Sequence, residues 1–388
     1  MKKILIVAKT PTHPTTAGNR WGILAQAEIL KKLGNEVYFL YVEERAMSRS
    51  KAKEYDNIFK STKEYWGDKF LHYRVPTLEK AWFNIKKRFY AYTNTRQKCD
   101  TYYPVGLTSF VKKVNNQYHF DICIVNYYFM TRLFDHVSFD KKACFTHDNY
   151  VYKDIRLGCK TGDCDTTADA NQMAKAMHRS PHIFAVQDDE KIFFEQLSPK
   201  SKVYNIYSKY DYNPQPITGN HNIMFLSGNN GFNQNGIKWF IKDVFPLILK
   251  RFPDAKLKIG GGICKVMPEL KNVEGVDMLG YVDSLDEFYR LGDVAINPVY
   301  QGTGLKIKTF EALSYDKVTL VHPHSMAGVY KKNEAPLFAS EKPEEWVKFL
   351  ETVWDNPKRI EEIKKQNADY MKEMNEFIIS EYKRFLEA

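Results

Sequence analysis

The chain has 388 residues, 44% hydrophobic and 27% charged, which excludes a disordered polymer and points to more than one hydrophobic core. No run of eighteen apolar residues occurs, so no transmembrane helix is expected, and the apolar run in the opening MKKILIVAKTPTHP is too short for a secretory signal. A net charge of +10 favours anionic partners.

Lys3–Ala8 reads as a buried strand. A Pro/Thr/Gly loop follows, and then Asn19–Leu33 repeats apolar residues at helical spacing before Gly34, a residue suited to a helix C-terminus. Glu36–Val42 is β-rich and completes a strand–helix–strand unit, the seed of a parallel sheet. Residues 60–115 hold 12 Lys and Arg against 4 Asp and Glu, interleaved with Trp66, Trp82, Phe83, Phe89, Tyr90 and Tyr92. Such a surface suits a membrane face, an acidic glycan or nucleic acid; the plainer reading is a solvated helix face with its aromatics turned inward. Asp121–Asn126, Ala143–His147, His182–Gln187 and Lys202–Tyr207 are further strands, with a short helix over Asp189–Leu197.

Residues 208–221, SKYDYNPQPITGNH, carry two prolines, a glycine and no periodicity, and read as a linker. Alternation then resumes. Strands are expected at Asn222–Ser227, Lys256–Gly260, Val276–Leu279, Val294–Pro298 and Val318–Val321. Helices are expected at Ile237–Lys250, Leu285–Leu291, Leu305–Ser314 and through the charged tail from Pro343. The expected class is α/β, with two Rossmann-like domains facing a cleft: 1–207 and 222–365, with 366–388 a C-terminal helix packing back on the first. Six cysteines are scattered. Cys123 and Cys144 sit in strand-like runs as buried thiols, while Cys159 and Cys164 have no second pair at zinc spacing, so no metal is expected and a reducing cytoplasm fits.

Ligands of doubly wound sheets bind at the loops beyond the carboxyl ends of strands, and four such loops hold unusual residues. PTTAGNR sets Gly18 at the mouth of a helix, where free N–H groups favour an anion, with Arg20 close by; a simple turn capped by Asn19 is the alternative. FTHDNYVYKDIR places His147 and Asp148 at a strand end, able to bind a polyhydroxylated ligand or move protons, or else merely to cap the strand. SGNNGFNQNG, with Gly228 and Asn229, offers backbone N–H groups and amides without charge. GTGLKIKTFEAL, residues 302–313, is neither a Walker loop nor a dinucleotide fingerprint, yet two lysines open its helix against the macrodipole. An anion at this helix start would account for them, and Glu311, reaching back, can accept from two vicinal hydroxyls. Diphosphate plus ribose suggests a nucleoside diphosphate; the alternative is an ordinary helix with solvated lysines.

In order and spacing these loops resemble the GT-B glycosyltransferases of the group 1 or family 4 type. The likeness is strongest over residues 222–330, through FLSGNNGFNQNG, LGYVDSLDEFYRLGDVAINPVYQGTGLKIKTFEALS and VHPHSMAGV, looser in the first half, and absent over 45–115. The resemblance implies a metal-independent enzyme, requiring no cofactor, that takes a UDP- or GDP-sugar as co-substrate, usually with retention of configuration. Glu311 would bind the ribose. The loop Gly302, Thr303, Gly304, Leu305 with Lys306 would hold the diphosphate, and Val282 would border the base. Gly18 would close on the phosphates, and His147 would sit beside the transferred sugar as a catalytic residue alongside Lys306. Arg20 and Asp148 remain acceptor candidates. The chain departs from the family where an Arg and a Lys usually follow the first C-domain strand: Asn229 and Asn235 stand in or near those places. Thr303 replaces an earlier glutamate. Lys306 is therefore expected to carry the charge, and Lys308, turned away by the helix, to face solvent. The acceptor is expected to be a glycan or lipid-linked, with the protein cytoplasmic and peripheral on the inner face of a membrane. A nucleic-acid acceptor, a nucleotide-sugar epimerase and a non-catalytic relative stay open.

Overall fold

The structure is a computed structural model describing residues 1–15, 18–44, 52–93, 95–158, 167–302 and 307–388. The expected Cys159 and Cys164 and the loop residues Thr303, Gly304, Leu305 and Lys306 lie outside the described residues. The chain divides into two units: Met1–Ser208 with Ile378–Ala388, and Lys209–Phe377.

The first unit is built on a wholly parallel sheet in the order β3-β2-β1-β4-β5-β6-β7. Its strands are β1 Lys3–Ala8, β2 Glu36–Glu43, β3 Phe70–Arg74, β4 Ile122–Asn126, β5 Lys141–Phe145, β6 His182–Ala185 and β7 Lys202–Asn205. Every residue of KILIVA after Lys3, and all of ICIVN, is buried, as parallel strands covered on both faces require. Each such Val, Leu or Ile contributes about 1.5–3 kcal/mol by leaving water. The longer helices are α1 Gly18–Lys32, α2 Ala52–Trp66, α3 Thr77–Tyr92, α4 Leu107–Tyr118, α5 Ala170–Met177 and α6 Asp188–Leu197. Residues 52–118 thus hold three helices and an edge strand where the sequence offered only a basic, aromatic stretch.

The second unit repeats the plan with β8 Asn222–Leu226, β9 Lys256–Gly260, β10 Val276–Gly280, β11 Val294–Asn297, β12 Val318–Val321 and β13 Leu337–Ala339, all parallel in the order β10-β9-β8-β11-β12-β13. Its longer helices are α7 Gly231–Trp239, α8 Ile307–Ser314, α9 Pro343–Val353 and α10 Pro357–Glu387. The single helix expected over Ile237–Lys250 is a composite: α7 passes through a π-helical turn at Phe240–Val244 into Phe245–Arg251, with Pro246 just past the junction. Proline lacks the N–H that an uninterrupted α-helical ladder would need there. The final helix is continuous from Pro357, and its last residues pack within the first unit: Glu381 accepts from the Asn205 N–H at 2.8 Å, and Phe385 meets Phe184 edge to face at 4.8 Å.

In both sheets the strand order reverses once, between β1 and β4 and between β8 and β11. Adjacent loops leave in opposite directions there, opening a crevice at the carboxyl ends.

Candidate functional site

At the reversal in the second unit, β8 ends at Leu226 and delivers Ser227, Gly228 and Asn229; β11 ends at Asn297 and leads through Gly302 to α8. The β8 loop is close-packed on its inner side. A Cβ at Gly261, φ +96°, would stand 2.4 Å from the Ser227 carbonyl oxygen, so only glycine fits. Asn230 caps α7 by accepting from the Asn233 N–H at 2.9 Å. Gly228 and Asn229 are left exposed, with open space about the Gly228 α-carbon. Gly302 has φ +109°, lies against Phe232 and accepts from His324 Nε2 at 3.0 Å, which fixes the start of the loop into α8. Val282 is half-buried and packs against Gly260.

Lys308 corrects the expectation that it faces solvent. The second residue of α8, it lays its stem toward β8, with Nζ 5.2 Å from the Phe225 ring centre. It donates to Asn233 Oδ1 and, at 3.4 Å, to Ser227 Oγ. The reason is direction: helical side chains lean toward the N-terminus, and here that leads to the β8 loop rather than to water. Asn233 is oriented for this, since its Nδ2 donates to the Gly228 carbonyl at 3.2 Å and leaves Oδ1 for the ammonium. The loop whose sequence lacks a cation therefore has one beside it.

Glu311 lies three residues further along α8. Its Oε1 accepts from the Tyr289 hydroxyl at 2.9 Å, and Tyr289 is itself buried and stacked on Tyr315. Burial raises the Glu311 pKa, while the Tyr289 hydrogen bond and the Lys308 charge draw it back. Tyr289 was not singled out in the sequence. Its signal was an aromatic at helical spacing in LDEFY, indistinguishable there from a core residue.

The reversal in the first unit has a different chemistry. The strand β5 ends at Phe145, so His147 stands in the loop beyond it rather than in the strand as expected, with φ +63°. Left-handed backbone breaks the pleat before the histidine. Its ring stacks on Tyr127 at 4.3 Å, and its Nε2 lies 2.7 Å from Asn126 Oδ1. Asn126 ends β4 and is fully buried, and its Nδ2 donates to the Val7 carbonyl at 3.3 Å. A carbonyl only accepts, so the amide turns Oδ1 to His147, and the imidazole must donate from Nε2. Nδ1 then keeps the lone pair. Burial pushes the His147 pKa down to about 3, so the ring is neutral at pH 7. Tyr127, at φ +73° and ψ 144°, occupies backbone space that is almost reserved for glycine, at a cost of about 1–3 kcal/mol. Asn19 of α1 donates to its hydroxyl at 3.1 Å. Asn126 was legible as the polar end of an apolar strand; the Tyr127 strain was not legible at all.

Gly18 is the first residue of α1, and Arg20 donates to the Pro14 carbonyl at 3.1 Å. Asp148 is buried and accepts from Lys153 Nζ at 2.6 Å, so its charge is already paired. Near it, Glu190 accepts from the Asn149 N–H at 3.1 Å. Burial first and the Asp148 charge second raise its pKa to about 7. Among the described residues no group of three or more His, Cys, Asp or Glu is placed to hold a metal ion, and no helix is long and apolar enough to cross a membrane.

Residues 220–356 match the family model described as Glycosyl transferases group 1. Over 81% of both chains the protein is 20% identical to a Klebsiella pneumoniae protein described as an uncharacterized 44.6 kDa protein in cps region. Its fold is similar to sucrose-phosphate synthase from Thermosynechococcus elongatus, with TM-score 0.67 at 11% identity over 100% of this chain and 98% of that one. It is similar also to Anabaena HepE in complex with UDP-glucose, with TM-score 0.63 at 11% identity over 100% of this chain and 99% of that one. The chain thus has the GT-B fold, and over residues 220–356 it is similar to the group 1 glycosyltransferases.

Proposed function

We propose that this protein transfers a sugar from a UDP-sugar to a hydroxyl of a glycan or lipid-linked acceptor. The observation that carries the reading is the pairing on α8: Lys308 held at the β8 loop, and Glu311 held by Tyr289 three residues on. A cation beside open backbone suits a diphosphate, and a fixed carboxylate suits the two hydroxyls of a ribose. The UDP-glucose bound by HepE supports uridine as the base.

In this reaction the bond between the anomeric carbon and the diphosphate oxygen breaks, and negative charge grows on the leaving UDP. Lys308, with Lys306 and the N–H groups of residues 302–305, stabilises that charge, a role that needs no metal. Gly228 and Asn229 admit the phosphates closely because no side chain intervenes at Gly228. Val282 borders the base. The acceptor hydroxyl attacks from the leaving-group side, giving retention, and a phosphate oxygen takes its proton. His147 acts through its Nδ1 lone pair, accepting from a sugar hydroxyl; Gly18 and Arg20 contribute anion-binding groups in the first unit, and Asp148 holds the His147 loop through Lys153.

The test is turnover of UDP-glucose, UDP-N-acetylglucosamine and the corresponding GDP-sugars, with and without a mixture of glycan and lipid-linked acceptors. Release of UDP that depends on acceptor is expected. Conversion of the nucleotide sugar without acceptor would replace transfer by epimerisation, and no turnover or UDP binding would indicate a non-catalytic relative.

A further inference from the structure

The helix α3 carries an apolar stripe that is exposed among the described residues. Leu78, Trp82, Ile85, Phe89 and Tyr92 are 87%, 54%, 54%, 59% and 91% exposed. Their spacing of four, three, four and three places them within an arc of about 80° along about 21 Å of helix. A different face holds α3 to its unit. Phe83 is buried, meets Tyr102 edge to face at 5.7 Å and lies under Lys9, while Glu79 accepts from the Val105 N–H. The sequence reading that aromatics turn inward is therefore right for Phe83 and wrong for Trp82, Phe89 and Tyr92.

The stripe is bordered by cations. Lys86 and Arg88 flank it on either side, while Lys80 and Lys87 lie on the opposite face of α3 and Glu79 is the helix's single acid. Lys86 folds over the Trp82 ring at 5.6 Å. Past Val105, itself 82% exposed, a pocket of about 250 Å³ is lined by Tyr103, Ser109, Lys112, Arg132 and His136, with no acidic residue.

We propose that the α3 stripe, together with the basic pocket beyond Val105, docks this protein on an anionic lipid bilayer. Leu78 and Ile85 decide between lipid and nucleic acid: aliphatic side chains gain nothing from stacking on bases but fit the acyl boundary. Trp82 and Tyr92 suit the headgroup level. Lys86 and Arg88 meet anionic headgroups at the edges of the stripe, and the pocket takes a lipid phosphate. The arrangement concerns where the enzyme works rather than what it transfers, and stands whether or not the donor is a UDP-sugar.

The experiment is co-sedimentation of the full chain with vesicles of phosphatidylcholine alone and of phosphatidylcholine mixed with phosphatidylglycerol. Binding to the mixed vesicles is expected, weak on phosphatidylcholine and reduced by salt. The double variant Ile85→Asp, Phe89→Asp should lose at least about tenfold in partitioning with its melting temperature unchanged, because both side chains are exposed. Arg88→Gln with Arg132→Gln should lower only the salt-sensitive part. Brominated lipid should quench wild-type tryptophan fluorescence, and less so in Trp82→Phe, a readout independent of how the aspartate variant folds. The proposal is overturned by a wild type that ignores mixed vesicles, or by an aspartate variant that binds as well as wild type. A single-stranded oligonucleotide bound in preference to vesicles would also overturn it, as would a wild-type dimer that the aspartate variant splits.

Discussion

The two sheets reverse their strand order in the same way, yet the residues at the two reversals are chemically opposite. Between β8 and β11 stand a full cation and a carboxylate, Lys308 and Glu311. Between β1 and β4 stands a neutral cluster of Asn126, Tyr127 and His147. Each reversal nevertheless uses one asparagine in the same manner. Asn233 gives its Nδ2 to the Gly228 carbonyl and its Oδ1 to Lys308; Asn126 gives its Nδ2 to the Val7 carbonyl and its Oδ1 to His147. The fold thus supplies a common device, an amide clamped by a main-chain carbonyl, and the side chain it holds sets the chemistry. A charged group is held where a diphosphate is proposed, and a neutral acceptor where a sugar is proposed.

The largest effect should come from the charged reversal. Glu311→Ala removes the acceptor proposed for two ribose hydroxyls; each charged hydrogen bond contributes about 1.5–3 kcal/mol, so UDP affinity should fall on the order of 100-fold in calorimetric titration. Unchanged affinity would remove the carboxylate from the donor site and with it half of the contrast. At the neutral reversal, His147→Ala should lower kcat/KM about tenfold or more while leaving UDP affinity as it was, because the ring is proposed to act on the sugar and not on the nucleotide. With its pKa near 3 the ring gains no proton from pH 8 to 5, so the pH profile should show no limb from His147 there. A nitrogen-15 spectrum at pH 6 should show the neutral ring protonated at Nε2. A charged ring, or a proton on Nδ1, would contradict the Asn126 clamp.

A further effect concerns stability. Glu190 has a carboxyl near pKa 7 in the folded chain against 4.5 as its ordinary value, so the folded state binds the proton more tightly. The stabilisation this gives is complete below pH 4.5 and is lost as pH rises through 7. Glu190→Gln removes the buried charge and should be the more stable protein at pH 8, by on the order of 2–3 kcal/mol, with the difference closing toward pH 4.5. Thermal melts across that range check both the sign and the window.

Much of this plan was legible in the sequence because parallel strands buried on both faces leave continuous apolar runs: KILIVA was read to the residue as β1. The strands that escaped are β3, FLHYR, and β13, LFA, both at sheet edges and only partly buried, so their side chains carry no such run. At the two reversals, Glu311, Gly228 and His147 stood out in the sequence because a carboxylate, a glycine and a histidine are unusual at strand or helix ends. The Lys308 orientation was not, because helical phase says which way a residue leaves the helix but not what lies there. Nor was Tyr289, whose role depends on a carboxylate 22 residues away.

On the proposed reading, Lys308 supplies the positive charge that the β8 loop lacks. Its most direct test is a paired titration of UDP and uridine into the wild type and Lys308→Met. UDP binding is expected to weaken about 10- to 100-fold while uridine binding is unchanged, since only the diphosphate would meet the ammonium. Equal UDP affinity in the two proteins, or a parallel loss for uridine, would contradict it.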